Sequence, residues 1–120
     1  MTRINVCSLR LIDETARTTG ARSLVTLINV GTPVGRPTTI EPDRHLFIGV
    51  SDIVEPLDGH IHPAEEHVRK LLDFAKVWDR REPVIVHCYA GVSRSTAAAF
   101  IIACAVLPDR PEADIARKIR

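Results

Sequence analysis

The chain has 120 residues, of which 45% are hydrophobic, and it carries a formal net charge of +1 at pH 7. This length predicts one domain over residues 1–120, and the near-neutral charge, without a basic patch, excludes a typical nucleic-acid partner. The longest apolar run, residues 97–107, is too short to cross a bilayer, so we expect no membrane partner. Three cysteines without paired spacing fit neither a disulfide framework nor a zinc site, which favours a reducing, cytoplasmic location.

Strands and helices alternate along the chain. Residues 23–30 are apolar on both faces, as is typical of a central strand, and three prolines and two glycines predict a loop over 31–43. In chain order, the predicted elements are a strand over 4–9, a helix over 11–19, a strand over 23–30, a strand over 46–50, a helix over 63–78, a strand over 83–87, a buried helix over 94–107 and a last helix from 109. This alternation predicts a single α/β domain with a largely parallel sheet of about four to five strands and helices on both faces.

The loop between the last predicted strand and the buried helix carries the chemistry. Cys88 and Arg94 stand at its two ends with five residues between them. The N–H groups of so short a loop, with those of the helix N-terminus, can form a nest for a phosphate dianion. Gly91 allows a positive φ and a close approach of the backbone to a ligand, and Arg94 can hold two phosphate oxygens at once. The predicted phosphate-binding residues are Tyr89, Ala90, Gly91, Val92, Ser93 and Arg94.

Cys88 is the predicted nucleophile. A thiol that faces a helix N-terminus beside Arg94 should have a pKa well below the free value of about 8.5, and would attack phosphorus as the thiolate to form a phosphocysteine. Ser95 could donate a hydrogen bond to the sulfur as it leaves, and His87 would support the loop rather than act as a base. We expect Cys7 and Cys104 to pack in the core.

Residues 83–95 resemble the signature of the cysteine-based protein tyrosine phosphatases, which is His-Cys, five residues, Arg and a hydroxyl residue. Residues 44–52 and 62–78 are similar to a compact bacterial group of predicted tyrosine phosphatases related to the dual-specificity branch. The resemblance implies hydrolysis of a phosphate monoester, with phosphotyrosine on a protein or peptide preferred, and no cofactor. Similar chains usually continue past the helix that ends here at Arg120, so we expect a truncated or minimal form.

The resemblance also implies an aspartic general acid upstream of Cys88. Asp52 directly follows the predicted strand 46–50, where an active-site loop begins, and it is the preferred candidate. Asp58 lies in a Pro-Leu-Asp-Gly turn and is the alternative acid, while Glu55 is a third candidate.

The sequence is also compatible, less well, with several other functions. His60, His62 and His67, with Glu66, could suggest a metal, but two histidines two apart in a loop fix no tetrahedral site, so we expect no metal. A phosphopeptide-binding module without turnover, or a phosphatase of a non-protein substrate, remains an alternative. Sulfur transfer and arsenate reduction fit less well, because this loop follows most of the sheet instead of the first strand. The absence of lysine from the loop disfavours an inositol phosphate.

Overall fold

The computed structural model describes residues 4–50, 65–79, 82–91 and 94–106. Within these ranges the chain forms four strands and three helices, with short 3₁₀ turns at Leu9–Leu11 and Pro42–Arg44. In chain order they are β1 (Ile4–Ser8), α1 (Ile12–Thr19), β2 (Ser23–Ile28), β3 (His45–Gly49), α2 (Glu65–Val77), β4 (Val84–Cys88) and α3 (Arg94–Val106). The predicted last helix, from residue 109, lies outside the described ranges.

The four strands form one parallel sheet in the order β1-β4-β2-β3. The two central strands, β2 and β4, are buried along their whole length, as apolar strands covered on both faces must be. Ser8 pairs with Cys88 at the ends of β1 and β4. Because all strands run the same way, their carboxyl ends meet at one edge of the sheet, which is where open parallel sheets bind ligands.

Helices cover both faces of the sheet, as predicted. Alternate strand residues point to opposite faces, so Val84 and Val86 join the core beneath α2 and α3, while Ile85 joins the core beneath α1. α1 ends at Gly20, which has a φ of +73° and donates its N–H to the Ala16 carbonyl at 3.0 Å. The α/β class and the parallel sheet are therefore confirmed.

Helix α3 packs against β1, β2 and β4 and supports the end of β4. Its buried face is dominated by small and branched apolar residues, which let the helix approach the strands closely. The buried residues are Ser95, Ala98, Ala99, Ile102, Ala103 and Val106. Burying a side chain such as Ile102 contributes about 1.5–3 kcal/mol to folding. α3 is thus a firm base for the loop that precedes it.

Two observations concern membrane spans and metal sites among the described residues. In the part of the chain that the structure describes, no helix is long and apolar enough to cross a membrane. The same residues hold no group of three His, Cys, Asp or Glu side chains that could bind a metal ion. His60 and His62 lie outside the described ranges, so the expectation that they bind no metal stays a prediction.

Candidate active site

The loop after β4 begins at a buried sulfur. Cys88 is the last residue of β4 and only 2% exposed. Its Sγ accepts the backbone N–H of Gly91 at 3.2 Å and lies 3.2 Å from the Ser95 Oγ, at the start of α3. If Cys88 is ionised, its sulfur accepts from both the Gly91 N–H and the Ser95 hydroxyl, and such donors stabilise negative charge on sulfur, as does the N-terminus of a helix. The sulfur therefore lies where an anion is favoured.

Gly91 holds this loop against the end of β1. It has a φ of +74°, and a Cβ at this position would lie 2.6 Å from the carbonyl carbon of Cys7 and 2.7 Å from the nitrogen of Ser8. The loop is also tied to β1 by the N–H of Leu9, which donates to the Tyr89 carbonyl at 3.1 Å. The sequence predicts that Gly91 lets the loop backbone approach a ligand; in the structure the close approach is to the backbone of Cys7 and Ser8 at the end of β1.

Arg94 is anchored across the carboxyl ends of β2 and β3. Its Nη1 donates to the Asn29 Oδ1 at 2.9 Å and to the Val50 carbonyl at 3.0 Å. Its Nε is buried and has no hydrogen-bond partner among the described residues. A buried N–H without an acceptor is costly, so this guanidinium is suited to receive an additional oxygen ligand.

Asn29 is a site residue that the sequence did not single out. The pattern predicts a strand through residue 30, whereas β2 ends at Ile28 and Asn29 is exposed beyond it. A polar residue directly after a buried strand, at the binding edge of a parallel sheet, is the signal that could have identified it.

His87 supports the loop from beneath. It is fully buried, its Nδ1 lies 3.3 Å from the Cys88 carbonyl, and its Nε2 lies 2.7 Å from the Thr26 Oγ1. Burial lowers the pKa of His87 to about 4, because the imidazolium loses its hydration; the backbone of Cys88 raises the pKa and nearby His45 lowers it. His87 is therefore neutral at pH 7.

The structure brings together the predicted residues His87, Cys88, Gly91, Arg94 and Ser95. Tyr89 and Ala90 are exposed to solvent. Val92 and Ser93 lie outside the described residues, as do the candidate acids Asp52, Asp58 and Glu55, so their placement stays a prediction.

The other two cysteines pack against the hydrophobic core. Cys7 is buried in the core beneath α1, and burial raises the pKa of its thiol. Cys104 is half-buried and packs against the core beneath α2 and α3.

A parallel α/β domain with a cysteine at a strand end and an arginine at the following helix start has the architecture of a phosphatase domain. The family model described as protein-tyrosine phosphatase matches residues 58–120. This chain belongs to that family. A comparison with curated proteins gave no match.

Solved phosphatase structures share the fold. The PTP-2 phosphatase of Cydia pomonella superposes with a TM-score of 0.66 at 18% identity, over 95% of this chain and 71% of that one. Human DUSP28 gives 0.63 at 17% identity, over 98% and 76% of the two chains. The tyrosine phosphatase OH1 from the Orf virus gives 0.64 at 16% identity, over 98% and 68%. The predicted link to the phosphatase superfamily is thus confirmed, while the link to a bacterial group stays a prediction.

Proposed function

We propose that this domain hydrolyses phosphate monoesters, with phosphotyrosine on a protein or peptide preferred, through a phosphocysteine on Cys88. One observation carries the proposal: the Cys88 sulfur accepts the Gly91 N–H and lies beside Ser95, in a loop closed by Arg94. That arrangement supports the roles proposed for Cys88 as nucleophile and for Arg94 as the cation that binds phosphate, and neither role needs a metal or another cofactor.

Binding would use the loop N–H groups and Arg94. The buried Arg94 Nε lacks a partner among the described residues, and a phosphate oxygen would satisfy it. The Asn29 and Val50 oxygens hold the opposite side of the guanidinium without cancelling its charge, since both are neutral acceptors. The full positive charge thus stays available to the phosphate dianion.

Two displacements at phosphorus follow. The Cys88 thiolate attacks phosphorus, the bond from phosphorus to the ester oxygen breaks, and Asp52 gives its proton to that oxygen. The Asp52 carboxylate then takes a proton from water as the water oxygen attacks phosphorus. The phosphorus–sulfur bond breaks, Ser95 donates to the sulfur as it leaves, and inorganic phosphate is released. Asp58 or Glu55 would replace Asp52 if the acid lies further along the chain.

The test compares initial rates on phosphotyrosine and phosphoserine peptides and on para-nitrophenyl phosphate, with EDTA present. We expect Cys88→Ser to abolish turnover, Asp52→Asn to reduce it on the peptides by roughly a hundredfold or more, and the control Cys104→Ser to retain it. Full activity in Asp52→Asn would move the acid to Asp58. Tight binding of a phosphotyrosine peptide without any phosphate release would instead identify a binding module, and would refute the proposal.

A further inference from the structure

Behind the loop, three polar side chains form a continuous hydrogen-bonded chain. Thr26 Oγ1 lies 2.7 Å from His87 Nε2 and 2.7 Å from His45 Nε2. Thr26 and His87 are fully buried, whereas His45 is only partly buried at the start of β3. The chain runs from the edge strand of the sheet to the first peptide of the loop.

The sequence brings these residues together through strand register. Thr26 pairs with His87 across β2 and β4. Thr26 lies two residues after Leu24, and His87 two residues after Ile85, so both share the face covered by α1. His45 pairs with Leu24, which places it on the neighbouring strand within reach of the Thr26 hydroxyl.

The positions of the protons fix which group donates and which accepts in each of these hydrogen bonds. The Cys88 carbonyl can only accept, so the His87 Nδ1 carries the proton that faces it. His87 is neutral, and its Nε2 is therefore an acceptor. The Thr26 hydroxyl has one proton, which must go to His87 Nε2. The Thr26 oxygen consequently accepts from His45, whose Nε2 carries a proton.

We propose that Thr26 and His45 are positioning residues for the phosphatase reaction, which hold His87 in the tautomer that donates to the Cys88 carbonyl. This inference rests on the proposed function. The carbonyl belongs to the peptide that joins Cys88 to Tyr89, and in a planar trans peptide the C=O and N–H point in opposite directions. Holding the carbonyl towards His87 therefore aims the Tyr89 N–H away from His87, and we infer that this is the side of the loop that receives the phosphate.

These hydrogen bonds keep the same donors and acceptors when His45 gains a proton. Burial, and then the positive charge of Arg36, lower the pKa of His45. His45 donates from Nε2 in both its neutral and its charged form, so the direction of the chain is the same in either state. Loss of the Thr26 hydroxyl, in contrast, leaves the buried His87 Nε2 without its donor.

The test pairs each disruptive variant with a conservative one. Thr26→Val removes the hydroxyl at nearly constant volume, and Thr26→Ser restores it. His45→Leu removes the donor, and His45→Gln keeps an N–H group. We expect kcat on para-nitrophenyl phosphate to fall about fivefold to tenfold in Thr26→Val and His45→Leu, and to recover in Thr26→Ser and His45→Gln. Thermal unfolding of each variant separates this effect from loss of the fold.

Nitrogen-15 NMR of the His87 ring gives a readout that does not depend on turnover. In the unmodified protein we expect a protonated Nδ1 and an unprotonated Nε2, and in a folded Thr26→Val variant a mixture of tautomers. A protonated Nε2 in the unmodified protein would overturn the inference. A Thr26→Val variant with unchanged tautomer and unchanged kcat would do the same. If the protein hydrolyses no phosphate ester, the proposed function fails, while the ring spectrum still decides the direction of the chain.

Discussion

Substitutions of Asn29 test most sharply whether the positive charge of Arg94 binds the phosphate. Its Oδ1 accepts from the Arg94 Nη1 at 2.9 Å, and the Val50 carbonyl is the second acceptor on the same nitrogen. Asn29→Ala removes one charge-assisted hydrogen bond. Such bonds contribute about 1.5–3 kcal/mol when shielded, and this one is exposed, so we expect a loss near 1 kcal/mol. That corresponds to about a fivefold fall in kcat/KM.

Asn29→Asp keeps the shape and adds a negative charge beside the guanidinium. Two unit charges 4 Å apart interact by about 1 kcal/mol in bulk water and by about 4 kcal/mol near a protein surface. The new carboxylate would compete with phosphate for Arg94 and repel the dianion. We therefore expect Asn29→Asp to weaken binding more than Asn29→Ala does, with an increase of at least tenfold in KM and in the inhibition constant of inorganic phosphate.

The assay is steady-state hydrolysis of para-nitrophenyl phosphate with phosphate as inhibitor, at low and at high salt. Because salt screens charges, high salt should reduce the difference between Asn29→Asp and Asn29→Ala in KM and in the inhibition constant of phosphate. The reasoning would be refuted if Asn29→Asp bound phosphate as tightly as the unmodified protein, since the Arg94 charge would then not be what holds the anion.

Three further predictions concern the loop. Gly91→Ala places a Cβ against the backbone of Cys7 and Ser8, so we expect it to lose most phosphatase activity and about 2 kcal/mol of unfolding free energy. In the control Gly35→Ala the new Cβ meets no atom within 4 Å, so activity and unfolding free energy should be unchanged. His87 has a folded pKa of about 4, below its ordinary 6.5, so its contribution to the free energy of unfolding is present above pH 6.5 and lost as pH falls. Urea unfolding should show about 2 kcal/mol less stability at pH 5 than at pH 8. An NMR titration in which the His87 ring becomes charged near pH 6.5 would contradict this. Ser95→Ala removes the hydroxyl 3.2 Å from the sulfur and should slow phosphocysteine breakdown about tenfold or more, seen as a burst of product; a lower kcat without a burst would argue against that role.

The fold could be read largely from the sequence because its strands are unusually apolar. The run 84–86 has side chains suited to burial on both faces, and only a sheet covered by helices on both sides provides that. The strand ends were less accurate. The pattern predicts β2 through residue 30, but β2 ends at Ile28, and the side chain of the next residue, Asn29, accepts a hydrogen bond from Arg94. The hydrophobic pattern alone cannot show that a residue within an apolar run lies beyond the end of the strand.

The site was predictable only where its residues are close in the sequence. Cys88, Gly91 and Arg94 share one loop, and their spacing indicates a phosphate cradle. Thr26 and His45 lie far from that loop along the chain, and their link to His87 depends on the register of three strands. In sequence, Thr26 resembles any β-branched residue of a central strand. Contacts of this kind become visible only once the sheet order is known.

Trapping the phosphocysteine tests the central claim most directly. The protein is mixed with a radiolabelled phosphotyrosine peptide, quenched within a single turnover, digested and mapped. We expect a phosphoryl group on Cys88 that disappears as inorganic phosphate is released. The phosphoryl group should accumulate in Ser95→Ala, be absent from Cys88→Ser and be present in the control Cys104→Ser. Release of phosphate by Cys88→Ser at the rate of the unmodified protein would contradict the account.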